Sequence, residues 1–148
     1  MRFVTALITA FACVVAHAAA PVQKAFGIEG DASKASRTVN IDLSDDMRFT
    51  PPSLTIKRGE TVKFVVTNKG ATLHEMVLGT RDDIAKHAAM MREHAHHHMT
   101  HDAPGMVALE PGKTGTIVWQ FNRAGTFEYA CLVPGHYEAG MRGVIAVS

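Results

Sequence analysis

Cysteine is scarce in this chain, and its two cysteines lie far apart. Cys13 sits in an apolar N-terminal stretch and Cys131 near the C-terminus, among 148 residues. A chain that loses the N-terminal stretch on export keeps one thiol, which excludes an intramolecular disulfide and a disulfide-rich scaffold. In an oxidising compartment we expect the thiol of Cys131 to be buried and inert, paired with another chain, or bound to a metal.

The chain also lacks a charge bias and a long apolar run. Lysine and arginine total 15 and aspartate and glutamate 14, so the charge balance does not favour nucleic acid or an anionic membrane as a partner. A membrane-spanning helix needs about 20 apolar residues, and the N-terminal run over residues 3–15 is too short. We therefore expect no nucleic-acid partner and no membrane span in the mature chain.

The N-terminus has the three parts of a secretory signal. Arg2 supplies the positive charge, residues 3–15 form the apolar core, and residues 16–18 (AHA) are a small-x-small cleavage site. We predict that residues 1–19 are a signal peptide, cleaved near residues 18–20, and that the mature protein is periplasmic.

The remaining sequence reads as one β-rich domain. Residues 20–37 are polar and rich in Gly, Ser and Ala, which indicates a flexible N-terminal segment. From residue 38 onward, short runs of alternating or β-branched residues, such as 61–67 (TVKFVVT), are separated by turn residues. About seven or eight such strands predict an all-β fold, an antiparallel Greek-key sandwich or barrel, over residues 38–148.

One segment departs from the strand pattern. Residues 81–98 lack Gly and Pro and are rich in Ala, Met, Lys, Arg and Glu, which favour a helix. Thr80 is a predicted N-cap, and acidic side chains at 82 and 83 suit the first helical turn. We predict a His- and Met-rich helical insertion over residues 81–104. Because it offers little Leu or Ile to anchor it, we expect it to be mobile.

Three residues with metal-binding side chains are evenly spaced near the C-terminus. Four residues separate Cys131 from His136, and four more separate His136 from Met141, in a stretch that contains Gly and Pro. Thiolate and thioether sulfur suit reduced copper, and imidazole suits both oxidation states of copper. A trigonal copper site needs a second imidazole from a distant histidine. Taken singly, such a cysteine or methionine is more often a core residue.

These residues resemble the cupredoxins, the type 1 copper family. The resemblance is carried by KRGETVKFVVTN (57–68), a strand-borne His74, and the C-x4-H-x4-M run before a closing strand, with the ligand-loop spacing of rusticyanin. It implies one type 1 copper ion at one end of the sandwich, where the site bridges both sheets. It also implies His74, Cys131 and His136 as equatorial ligands and Met141 as the axial ligand.

The residue after the first histidine departs from this family pattern. Many cupredoxins have Asn there, whose side chain ties the two ligand segments together, and this chain has Glu75. Groups around a metal ligand influence its orientation and the reduction potential. The sequence therefore leaves open whether the copper site is blue or green.

The insertion carries further imidazole and thioether groups. Such side chains can bind Cu(II) and Cu(I), with lower affinity than a preformed site. The alternative is a solvated helix whose histidines only change charge near pH 6.5. The possible auxiliary ligands are His87, Met90, Met91, His94, His96, His97, His98, Met99 and His101.

Two functions fit this combination. The copper site and the insertion together favour a redox-competent periplasmic protein of copper tolerance, with copper ions and periplasmic redox or copper-handling proteins as partners. The alternative is a soluble one-electron carrier between respiratory proteins. A copper enzyme is disfavoured, because a second Cys-His cluster is lacking. We therefore expect that the protein is not an enzyme.

Overall fold

The fold is a sandwich of two five-stranded sheets. The computed structural model describes residues 20–93 and 103–148. Sheet I has the order β1-β8-β5-β2-β3, and sheet II has the order β4-β10-β9-β6-β7. The elements are β1 (Ile28–Glu29), β2 (Arg37–Ser44), β3 (Arg48–Thr50), β4 (Ser53–Ile56), β5 (Thr61–Asn68), β6 (His74–Gly79), α1 (Arg81–Glu93), β7 (Met106–Leu109), β8 (Thr114–Gln120), β9 (Gly125–Ala130) and β10 (Arg142–Val147), with a short 3-10 helix at Ala32–Lys34.

The strands form where the sequence alternates, because each sheet buries one face against the other. In β10 exposed and buried residues alternate along the whole strand, as expected for a strand with one face to solvent. β6 differs, since all six of its residues are buried. The core contains large side chains from both sheets, among them Phe64 and Trp119 of sheet I and Tyr129 and Ile145 of sheet II.

Two strand pairs are parallel, so the prediction of an antiparallel sandwich was wrong in this respect. β2 pairs in parallel with β5, and β10 pairs in parallel with β4. The local alternation of apolar and polar residues is the same in parallel and antiparallel strands, so the sequence pattern could not distinguish them. The chain leaves sheet I after β3, forms the edge strand β4 of sheet II, and returns as β5.

The N-terminal segment is part of the sandwich, contrary to the expectation that residues 20–37 are flexible. The ring of Phe26 is buried and stacks on Trp119, with 4.9 Å between ring centroids. The Trp119 indole N–H donates to the Phe26 carbonyl at 3.0 Å, and β1 extends sheet I beside β8. One aromatic residue within a polar stretch is enough to anchor the segment. The predicted signal peptide, residues 1–19, lies outside the described residues.

Helix α1 covers the outer face of sheet II. Ile84 and Ala88 are buried against Val77, Ala130 and Leu132, which explains why β6 is buried on both faces. The expectation of a mobile insertion was therefore wrong for residues 81–93, because Ile84 and Ala88, with Met91 packed against them, provide sufficient apolar contact.

The start of α1 is capped as predicted. The Asp83 backbone N–H donates to the Thr80 hydroxyl at 3.1 Å, and the Thr80 N–H donates to the Asp83 carboxylate at 3.1 Å. This reciprocal arrangement satisfies backbone donors that have no partner within the helix. Within residues 20–93 and 103–148, no helix combines the length and the apolar character needed to cross a membrane.

Candidate metal centre

The predicted ligands lie at the ends of three neighbouring strands of sheet II. His74 is the first residue of β6, Cys131 directly follows β9, and Met141 directly precedes β10. His136 lies between them in residues 131–141, called here the ligand loop. Because β9 pairs with both β6 and β10, the sheet itself brings these positions to one edge. His74 lies in a strand of sheet II, and the other three residues lie in the loop between two strands of the same sheet. The expectation that the ligands bridge both sheets was therefore wrong.

Three ligand atoms converge at this edge. The Cys131 sulfur lies 4.0 Å from Nδ1 of His74 and 3.4 Å from Nδ1 of His136. The candidate ligand atoms of the three residues all lie within 4.8 Å of one another, although His74 and Cys131 are 57 residues apart in sequence.

These distances suit a single ion coordinated by all three side chains. Bonds of about 2.0 Å to nitrogen and about 2.3 Å to sulfur, as in zinc sites, place the two atoms about 3.5–3.7 Å apart at angles near 110–120°. The observed 3.4 and 4.0 Å bracket that value. A set of two imidazoles and one thiolate is the equatorial set of blue-copper sites, so the residues fit a copper ion.

Met141 is held at the base of the ligand loop. Its N–H donates to the His136 carbonyl at 3.0 Å, and its own carbonyl accepts the Cys131 N–H at 3.1 Å. Its side chain is fully buried in the core that also contains Cys131. These two bonds therefore hold the Met141 backbone beside His136 and Cys131.

Burial sets the protonation of the metal-free site. Burial raises the pKa of the Cys131 thiol to about 12, so the thiol is protonated at neutral pH before metal binds. Burial and the neighbouring His74 lower the pKa of the half-buried His136, which favours the neutral imidazole that a metal requires. Binding of a cation at Cys131 accordingly displaces a proton.

Glu75 ties the two ligand segments together. Its buried carboxylate accepts the Leu132 N–H at 2.9 Å, and its own N–H donates to the Cys131 sulfur at 3.4 Å. Burial raises the pKa of the Glu75 carboxyl, and the hydrogen bond from Leu132 opposes that shift. The side chain thus makes the link that the family resemblance assigns to Asn.

Asp45 is a residue of the site that the sequence analysis missed. It lies in the turn between β2 and β3 of sheet I, and its Oδ1 is 2.8 Å from Nε2 of His74. A hydrogen bond from the Ala71 N–H, followed by those from His74 and Thr72, holds the pKa of this carboxyl well below its usual range. An acidic residue in a polar turn, 29 residues before His74, gives no sequence signal of this contact.

The possible auxiliary ligands are only partly described. His87 and Met90 lie on α1 and line a cavity of about 260 Å³ together with Met106, between the helix and sheet II. Met91, also on α1, packs beside Ile84. None of the three belongs to the cluster at Cys131. The remaining candidates lie outside the described residues: His94, His96, His97, His98, Met99 and His101.

The last turn of α1 contacts the ligand loop. Arg92 and Glu138 form an ion pair at 3.3 Å, and Met91 packs in the same apolar cluster as Tyr137. The helix therefore ends beside the loop that carries His136, and the histidine-rich stretch follows Glu93 directly in sequence.

Comparison with known proteins identifies relatives of this chain. A family model described as copper binding proteins, plastocyanin/azurin family, matches residues 35–148. The copper-resistant cuproprotein CopI of Rubrivivax gelatinosus is 51% identical over 135 residues, covering 89% of this chain and 81% of the relative. CopI of Pseudomonas aeruginosa is 36% identical over 151 residues, covering 84% of this chain and 83% of the relative.

A solved structure shares the fold. Auracyanin of Roseiflexus castenholzii superimposes with a TM-score of 0.64 at 24% identity, over 77% of this chain and 98% of that chain. At that identity the likeness concerns the fold alone. The predicted all-β cupredoxin sandwich is confirmed by it, with the two parallel strand pairs as the correction.

Proposed function

Because this chain belongs to the plastocyanin/azurin family of copper-binding proteins, we propose that His74, Cys131, His136 and Met141 bind one type 1 copper ion. The observation that carries the proposal is the convergence of one thiol and two imidazoles within 4.8 Å at the end of sheet II. Nδ1 of each histidine, the Cys131 sulfur and the Met141 thioether would hold the ion. When bound, copper supplies a one-electron change between Cu(I) and Cu(II).

The protein's own contribution is to hold these ligands in place. Glu75 fixes the ligand loop against β6, and Asp45 holds the ring of His74. A buried, hydrogen-bonded ligand set reorganises little when the charge of the ion changes. Four protein side chains around one ion would leave little room for a substrate, which supports copper binding and electron exchange as the function and not enzymatic catalysis.

We propose that this copper chemistry serves copper tolerance in the periplasm. The CopI relatives are named copper-resistant cuproproteins, and one is 51% identical to this chain. The signal-like N-terminus supports export with removal of residues 1–19, which leaves the domain formed by the rest of the chain. Mass spectrometry of the protein purified from the periplasm tests the export. A mature chain beginning near residue 20 supports it, and an intact N-terminus contradicts it.

A bacterial growth assay tests the biological role. A strain lacking the protein is expected to grow normally in ordinary medium and poorly under copper stress, with tolerance restored by the wild-type gene. A gene encoding Cys131→Ser is the matched control and is expected not to restore tolerance. Unchanged copper tolerance together with impaired respiration would instead support the electron-carrier alternative, which the half-exposed ring of His136 beside exposed Pro134 favours.

We also propose that the histidine-rich segment binds additional copper and supplies it to the main site. Its support is the position of α1, whose last turn contacts the ligand loop through Arg92 and Glu138. A deletion that begins before residue 88 would remove Ala88 and disturb the core. Substitutions beyond Glu93 avoid this. The variant replaces with alanine His94, His96, His97, His98, Met99 and His101.

Copper titration of wild type and variant decides this point. We expect more than one copper ion per chain in the wild type and one in the variant, with the visible spectrum of the main site unchanged. Equal stoichiometry in the two proteins would contradict the auxiliary role. A second variant with His87, Met90 and Met91 replaced by alanine tests the residues on α1 separately.

A further inference from the structure

We propose that Asp45 is the positioning residue of the metal centre. It holds the ring of His74 from the opposite sheet and places a negative charge next to the proposed ligands, without being a ligand itself. The inference rests on the proposed copper site. It assigns a role to a residue that neither the spacing of the ligands nor their order in the sequence indicates. Asp45 lies in the β2–β3 turn of sheet I, whereas the ligands belong to sheet II.

The contact is aimed at the ring nitrogen that does not face the other ligands. His74 presents Nδ1 to the Cys131 sulfur and Nε2 to Oδ1 of Asp45, at 2.8 Å. A carboxylate can only accept hydrogen bonds, so Nε2 carries the proton and Nδ1 keeps its lone pair for a metal. The side chain of His74 is fully buried. The Thr72 hydroxyl lies 3.4 Å from the same Nε2 and itself donates to Asp45, so Asp45 is the nearer acceptor for this nitrogen.

Asp45 is itself held by several donors. The Ala71 N–H donates to Oδ2 at 2.7 Å, and the Thr72 hydroxyl donates to Oδ1 at 2.9 Å. Gly70 makes this possible, because a Cβ at that position would overlap Asp45 and lie 2.9 Å from Nε2 of His74. The residues that precede His74 thus wrap around the carboxylate. Asp46, the next residue, bonds to the side chain of Ser44 instead.

Two consequences follow for a bound ion. A fixed acceptor sets the tautomer and direction of the imidazole, and loss of such a partner typically weakens metal binding about 10- to 100-fold. The negative charge also stabilises Cu(II) more than Cu(I), because the divalent ion interacts more strongly with it. Asp45 therefore lowers the reduction potential and links the site to sheet I, which supplies none of its ligands.

The test compares Asp45→Ala, Asp45→Asn and Asp46→Asn with the wild type. Cu(II) affinity is measured by competition with a chelator, and the reduction potential by redox titration followed in the visible absorption. For Asp45→Ala we expect affinity about 10- to 100-fold lower and a higher potential. Asp45→Asn keeps one oxygen that can accept from His74 and Thr72, turns an amide NH2 toward the Ala71 N–H and removes the charge. We therefore expect a higher potential with a smaller loss of affinity than in Asp45→Ala.

Asp46→Asn is the matched control, since it removes the same charge one residue away without touching His74. It is expected to match the wild type in both measurements. If Asp45→Ala does not fold, Asp45→Asn alone decides. Values for Asp45→Asn equal to those of Asp46→Asn in both affinity and potential would overturn the proposal. A wild-type protein that binds no copper would refute the copper site itself, which is a separate outcome.

Discussion

Among single residues, Glu75 has the most unusual surroundings. A carboxylate buried to 3% exposure beside a cysteine sulfur is unfavourable unless it accepts a hydrogen bond. The Leu132 N–H provides that bond at 2.9 Å. The Glu75 side chain thus gives this N–H, at the start of the ligand loop, an acceptor in place of a backbone carbonyl. The same oxygen therefore satisfies a buried donor and joins the two ligand segments.

Replacement of Glu75 separates its hydrogen bond from its charge. Glu75→Ala leaves the buried Leu132 N–H without an acceptor, which we expect to lower the free energy of unfolding of the metal-free protein by about 1–3 kcal/mol. Glu75→Gln keeps an acceptor oxygen and removes the buried charge, so we expect it to be more stable than Glu75→Ala. Denaturant unfolding of the three proteins checks this order. Equal stability of Glu75→Ala and the wild type would contradict the structural role.

At the scale of elements, α1 is an integral part of sheet II. It buries Ile84 and Ala88 against the outer face of β6 and β9, and its last turn pairs with the ligand loop. The helix consequently stabilises the strand that begins with His74 as well as the loop that carries His136. An insertion of this kind is positioned to influence the metal centre through packing.

Truncation of Ile84 tests how firmly α1 is anchored. The side chain is fully buried, so we expect Ile84→Ala to lower the free energy of unfolding by about 2–5 kcal/mol. Lys86→Ala, at an exposed position of the same helix, is the control and is expected to change stability by less than about 0.5 kcal/mol. If the two substitutions have equal effects in denaturant unfolding, α1 is not packed as described.

Truncation of Phe26 tests whether the N-terminal segment belongs to the folded domain. Phe26→Ala removes a buried ring that stacks on Trp119, so we expect a loss of about 3–5 kcal/mol in the free energy of unfolding. Trp119 is the single tryptophan, and its fluorescence is expected to report increased solvent exposure. Val22→Ala, at a residue 74% exposed, serves as the control. An unchanged stability of Phe26→Ala would mean that the segment is dispensable.

The elements also show where sequence patterns are informative. Strands such as β5 and β8 are predictable from sequence, because the alternation of apolar and polar residues and the content of β-branched residues are properties of the strand segment itself. Phe26 and Ile84 anchor their segments through single side chains, which patterns averaged over a window do not detect. Asp45 contacts His74 only because the folded chain brings the β2–β3 turn of sheet I next to the start of β6 in sheet II. No local sequence pattern indicates this contact. The order of Cys131, His136 and Met141 was visible because one short loop carries all three.

At the scale of the whole molecule, the two sheets contribute different parts of the proposed metal centre. The strands of sheet II and the ligand loop between them carry every proposed ligand, and sheet I contacts the site through the β2–β3 turn. β2 pairs in parallel with β5, and β4 with β10. The β2–β3 turn of sheet I lies beside the start of β6 in sheet II, where Asp45 contacts His74. The fold thus brings His74, Cys131 and His136 together, although His74 and Cys131 are 57 residues apart in sequence.

The visible and electron paramagnetic spectra of the copper-loaded protein test the central claim most directly. A type 1 site requires the Cys131 thiolate as an equatorial ligand, so the wild type is expected to show an intense thiolate-to-copper band. The same band is expected to disappear in Cys131→Ser, while Met141→Ala changes its position or relative intensity and retains copper. Absence of the band from the wild type, or its persistence in Cys131→Ser, would contradict the assignment of Cys131 as a copper ligand.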